Sequence, residues 1–394
     1  MAFFASLRRF KFFTDHSTRI KHKNNEDDSF VFVYHKETRR IPTRLKIATV
    51  APDVEEIPKK AFFKRQHLNR VDFSQANQLV TIGVASFAHC NHLIEVQLPR
   101  TVETLRSEAF LHCIRLRRMR LNANLVSIGH SAFMGCQELQ FIDFTRSKRL
   151  EVIGASAFCY CLSLTTIEIP NSVKKIQHSA FSGCENLKEA KFRNTYIVEI
   201  PQSAFAMCSS LRLVDFGSAT NITSIQISAF ESCASLEVVR LPMRLQILEE
   251  RAFFGCQSLA EVHFPESLTK IKNLAFSRCD KLKTITLPAA LNCLEEAFDA
   301  HYLEQVEING NNPALWIRLH RLYPDAISFE QMVSRSLRYP DSLGNREFLL
   351  PSLSDDELQQ ETDLLQALQL EHANAIWRLV TWCLGRGIML HNNY

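Results

Sequence analysis

Glycine and proline are scarce, at 11 and 13 of 394 residues, so neither a collagen-like strand nor a long low-complexity linker is encoded. No run of 18 apolar residues occurs, and no transmembrane helix is expected. A strong charge of one sign is missing as well. Lys and Arg number 46 against 42 Asp and Glu, and the net charge of +4 is too slight to imply nucleic acid. That balance is uneven along the chain: residues 1–50 carry 11 bases and 5 acids, residues 330–394 carry 5 and 9. The first 23 residues lack the apolar core of a secretory signal, because Arg8, Arg9 and Lys11 interrupt it. They suit a solvated basic arm, or alternatively an organelle transit peptide. Twelve cysteines without a secretion signal point to a reducing compartment, read as the cytoplasm with the nucleus as an alternative. There is no Gly-rich phosphate loop, no H-E-x-x-H, no nucleophile elbow and no C-x-x-C. The chain is therefore expected to be no enzyme, with no cofactor, no metal and no small-molecule substrate.

What is abundant is phenylalanine, 28 residues, and its positions explain it. An Ala-Phe step, once Ser-Phe, recurs at Phe62, Phe87, Phe110, Phe133, Phe158, Phe181, Phe205, Phe230, Phe253, Phe276 and Phe298, at intervals of 22 to 25 residues. Cys follows three residues later in nine copies, from Cys90 to Cys279, and Leu six residues later in ten. An apolar pair flanking one variable residue comes next, as in Val96-Gln97-Leu98 and Ile167-Glu168-Ile169. Ile or Leu stands five residues before the Phe in ten copies. The period-two apolar pair reads as a short strand with one buried face, ended by Pro99, Pro170, Pro242, Pro265 or Pro288. A second short extended piece follows, and S-A-F-x-x-C suits a short helical turn. One such unit cannot bury its own apolar face, but stacked copies share a core. The fold expected is a repeat solenoid of the α/β leucine-rich-repeat type, about eleven coils of 22–25 residues, with a helical C-terminal region. Three copies gain two residues after the strand, at Asp72-Phe73-Ser74, Asp143-Phe144-Thr145 and Asp215-Phe216-Gly217, three coils apart. They mark either inherited duplication of a three-coil block or a ligand-contacting ridge.

The unit resembles the BspA-type leucine-rich-repeat family, most clearly in Ile169-Pro-Asn-Ser-Val-Lys-Lys-Ile-Gln-His-Ser-Ala-Phe-Ser-Gly-Cys184. The likeness covers about two thirds of the chain, residues 48–310. It implies a binding module of the kind found in bacterial surface proteins and many protist proteins, with no shared catalytic residues.

Three regions follow: a basic arm and cap over 1–47, the solenoid over 48–310, and a helical cap or interaction region over 311–394. Phe30-Val-Phe-Val-Tyr34 alternates as a strand that would cap the first coil. Pro313 to Tyr323 has helical spacing stopped by Pro324, and Ser354-Asp-Asp-Glu357 forms a capping box opening a second helix.

The variable residue between the two apolar strand positions points outward. This column includes Arg120, Asp143, Glu168, Lys191, Asp215 and Arg240, whose alternating signs suit lateral pairing. Together with Arg117 and Arg118 they are the candidate binding residues. The run Arg115-Leu-Arg-Arg-Met-Arg120 is where an acidic protein would dock, and nucleic acid is the less favoured partner. The Cys column reads as small buried hydrophobes rather than disulfides or zinc ligands. His89 and His112 share a column and face each other across adjacent coils, as solvated imidazoles or, less simply, a metal pair. The function expected is a non-catalytic protein-protein interaction scaffold. The alternative is a cell-surface or adhesion-type module exported by an unrecognised route.

Overall fold

The computed structural model describes residues 19–20, 31–144, 146–192, 196–217, 221–310, 312–324 and 326–327. Each repeat makes one circuit: a strand of three to five residues, a corner, a two-residue strand, then a run of tight turns back to the start. The two strand sets stack in parallel, like on like, which is how a short strand with one apolar face finds partners on both edges. Among the described residues, eleven two-residue strands from Glu56–Ile57 to Cys293–Leu294 stack one per coil. At about 4.8 Å per strand the stack is on the order of 50 Å long. Burial alternates as the sequence pattern requires: Arg118 and Arg120 are exposed around a buried Met119, and Thr166 and Glu168 around a buried Ile167.

The third side of the coil departs from expectation. S-A-F-x-x-C forms consecutive tight turns rather than a helical turn, and the hydrogen bonds say why. Alternate N–H groups leave the coil: Lys60, Phe62 and Lys64 donate to Val84, Ser86 and Ala88 of the next one. Those between close turns within the coil, Ala61 N–H to Pro58 and Phe63 N–H to Lys60. A continuous helix would keep every donor inside its own coil and leave this side unstitched. From Phe62 to Phe276 the residues two before and two after each column Phe adopt left-handed φ, as in Ser156 at 53° and Tyr160 at 57°. Such residues cost about 1–2 kcal/mol each without glycine, a strain offset by the inter-coil bonds they permit.

The core is a column. Phe62 to Phe298 stack face to face with ring centroids 4.9–5.5 Å apart and planes within 11°. Tyrosines close both ends. Tyr34, on the strand Val31–Tyr34 that pairs with Ile47–Val50, lies 5.3 Å from Phe62. At the far end helix α1, Pro313–Leu322, is N-capped by Asn312, whose side chain accepts from Leu315 N–H. Leu315, Trp316 and Leu319 of α1 are buried, and so is Tyr323 at its C-cap. The Tyr323 hydroxyl accepts from Ala297 and Phe298 N–H, with its ring 6.1 Å from Phe298. The second C-terminal helix expected from Ser354 onward lies outside the described residues, as does most of the N-terminal arm.

The long ladder is interrupted in a regular way. A single register pair, Arg70 with Glu95, joins one strand to the next after Phe73. Among the described residues, no ladder pairing carries Phe141–Asp143, Leu213–Asp215 or Glu261–His263 to the following strand. In each case the strand is followed directly by Phe73, Phe144, Phe216 or Phe264, which meets the column Phe of its own coil edge-on at 5.6–6.3 Å. The next coil has Leu or Ile at that place, so the larger ring holds the two strands apart. Where the next coil also has Phe, at Phe192 and Phe216, the rings stack at 5.4 Å and the ladder is intact.

Candidate functional site

The interior is filled by Phe, Leu, Ile and Cys, and the expected site residues lie among the outward side chains of the long strands. These form two columns. The first runs Arg70, Glu95, Arg118, Phe141, Thr166, Glu189, Leu213, Val238, Glu261, the second Asp72, Gln97, Arg120, Asp143, Glu168, Lys191, Asp215, Arg240, His263. Six of the expected site residues, Arg120, Asp143, Glu168, Lys191, Asp215 and Arg240, are therefore in the second column. Arg118 is in the first. Arg117 just precedes the strand, its N–H bonded to Ile94 O. Register brings Arg120 opposite Asp143, Glu168 opposite Lys191, and Lys191 opposite Asp215. The strands of Asp215 and Arg240 share no ladder pairing.

The ion pairs are set partly along the strand rather than across it. Arg120 Nε lies 3.5 Å from Glu95, diagonally displaced in the preceding coil, and Arg117 Nε donates to Glu138 at 2.8 Å. Lys191 pairs at 2.7 Å with Glu189 on its own strand, and His263 Nε2 lies 2.7 Å from the Glu261 carboxylate. Asp215 has a second task. Its carboxylate accepts from Gly217 N–H at 2.8 Å, as Asp72 does from Ser74, closing the longer corner that follows. That local bond gives the recurring Asp-Phe corners a structural role of their own.

Three outward side chains were missed by charge-based reading. Phe141 is 54% exposed, directly between Arg118 and Thr166 in the first column, and Leu213 and Val238 are exposed in successive coils. A signal existed: the same place in the repeat is polar in most other copies. Phe141 thus stands beside Arg118 and two residues before Asp143, an aromatic surface set in cationic surroundings.

The remaining candidates are explained structurally. Each column thiol from Cys90 to Cys279 donates to the Phe carbonyl of the preceding coil, at 3.1–3.3 Å. Burial pushes them up, Cys90 and Cys136 to about 12, so they are thiols rather than thiolate nucleophiles. His89 and His112 do stack, at 5.2 Å. Desolvation first, then His112 and Lys64, hold the His89 imidazole below its ordinary range. No group of three or more His, Cys, Asp or Glu among the described residues is arranged to hold a metal. No helix among them is long and apolar enough to cross a membrane.

Parallel ladders, a 22–25-residue period and a continuous aromatic core define a leucine-rich-repeat solenoid. More narrowly, the chain belongs to the family described as BspA type leucine rich repeat region, whose model matches in six copies over residues 55–187, 141–245 and 223–315. Among solved structures it is similar to a leucine-rich repeat protein from Bacteroides ovatus, with 21% identity, TM-score 0.39, and coverage of 76% of this chain and 100% of that one. It is also similar to a leucine rich repeat protein of T. pallidum, with 22% identity, TM-score 0.40, and 51% and 91% coverage. A leucine rich cell surface protein from Faecalibacterium prausnitzii shares 21% identity, TM-score 0.33, over 78% and 96%. No curated protein matches the chain. Leucine-rich-repeat proteins are generally protein-interaction modules.

Proposed function

We propose that this solenoid is a non-catalytic scaffold whose protein partner docks on the outward face of the long strands. The observation that carries this reading is the juxtaposition of Arg117, Arg118 and Arg120 with the exposed ring of Phe141 on a rigid ladder. Aromatic and Arg side chains concentrate binding energy at interfaces, and a laddered backbone leaves only side chains to be ordered on association. The matching partner surface is acidic with an apolar contact. Glu168, Lys191, Asp215 and Arg240 extend the same face toward Leu213 and Val238. The reading puts the scaffold in a reducing compartment, the cytoplasm, and ten buried cysteines that are all free support it.

Affinity capture from native lysate with the intact protein and an Arg117→Glu/Arg118→Glu/Arg120→Glu variant tests the site. Partners retained by the first and lost by the second are expected. Identical partner sets would overturn the strand-face reading.

A further inference from the structure

Arg115, Arg117, Arg118 and Arg120 lie on or beside one outward strand, and the corner of the next coil adds Arg146 and Lys148. Facing these cations are Glu95, Glu138 and Asp143. Arg117 and Arg120 have carboxylate partners, but Arg115 and Arg118 carry no ion pair among the described residues. The local excess is positive in a chain whose overall charge is only +4. The compensating excess of acid is in the chain's own C-terminal region. Asp355, Asp356, Glu357, Glu361 and Asp363 fall within nine residues uninterrupted by Lys or Arg, and Leu364 and Leu365 follow directly.

We infer that the acidic segment 354–363 docks in cis on the Arg115–Arg120 strand face, with the leucines after it directed to Phe141. This rests on the reading of that face as the binding surface, and makes the chain's own segment its resident occupant. The tether reaches. From Gln305–Asn309, the last strand of the long ladder, back to Arg118–Arg120 is eight strand steps, roughly 38 Å. The 26 residues from 328 to 353 span up to about 86 Å when extended. Exposed ion pairs are individually weak, but attachment in one chain presents the acids at an effective concentration on the order of millimolar. A partner would then have to displace the segment, so occupancy of the face is set by competition.

The test uses the full chain with Arg118→Lys and Arg120→Lys, which keep the charge and supply amines for zero-length carbodiimide coupling. Lys191 with Glu189, 2.7 Å apart, is the internal positive control. Peptide mapping is expected to find amides joining position 118 or 120 to a carboxylate among 355–363. They should be lost when Asp355, Asp356 and Glu357 are changed to Asn, Asn and Gln, and in about 1 M salt, where screening falls to roughly 3 Å. Mixing light and heavy-isotope protein assigns the link to one chain or two. Absence of these amides while the control couples overturns the inference, as does coupling only between chains. Either failure leaves the partner reading untouched, since capture on the unmodified arginines tests that separately.

Discussion

At position 86 serine stands where the other ten copies have alanine, and its buried hydroxyl has no hydrogen-bond partner. Ser86→Ala removes an orphaned polar atom and fills the same slot with the methyl of the other ten copies. Chemical denaturation should show the variant more stable by about 1 kcal/mol. The imidazole pair gives a second single-residue test. His89 is held below its ordinary pKa, so the folded state binds fewer protons than the unfolded state between that lowered value and 6.5. The folded state is therefore favoured at neutral pH, and its advantage at this site falls as pH drops through 6.5. A proton NMR titration should place His89 below 6.5, and His112→Gln should raise it. An unshifted His89 in both proteins would contradict the stacked geometry. Gly135 belongs at this scale too: its φ is +72°, and a Cβ there would meet His112 Nδ1 at 2.3 Å, so the broad ring in one coil is accommodated by the missing side chain in the next.

Between elements, the aromatic column couples each coil to its neighbours and to nothing more distant. Phe181, fully buried between Phe158 and Phe205, is the sixth of eleven. Phe181→Ala should cost about 3–5 kcal/mol. In a one-dimensional array it should also split unfolding into separate transitions of the two flanking blocks. Guanidinium titration followed by circular dichroism distinguishes that from one cooperative loss of stability. This column was legible beforehand, since an invariant Phe with Cys at three and Leu at six residues leaves little else for the interior to be. The third side was misread because S-A-F-x-x-C has the local spacing of a helical turn. Nothing local reveals that alternate N–H groups are claimed by the next coil. The ladder's interruptions were equally hidden, because they depend on whether two residues 23 to 25 apart are both Phe.

Over the whole molecule, the repeat dictates what is buried, and that half of the structure could be read directly. Arg120 and Glu168 were placed outward correctly, from period two alone. The pairing geometry was not readable: Arg120 reaches back to Glu95 and Lys191 turns to Glu189, choices made by side-chain length and strand twist rather than by position in the repeat. Phe141 was overlooked because an exposed ring breaks the rule that apolar positions face inward. The corners at Asp72, Asp143 and Asp215 recur every third coil, 71 and 72 residues apart. Such a molecule grows by whole modules: gaining or losing one three-coil block shifts every downstream surface by roughly 14 Å along the axis while leaving each junction unchanged. Length is then an inheritable variable separable from stability, and the span between the basic strand and the C-terminal cap becomes a ruler that duplication can reset in fixed steps.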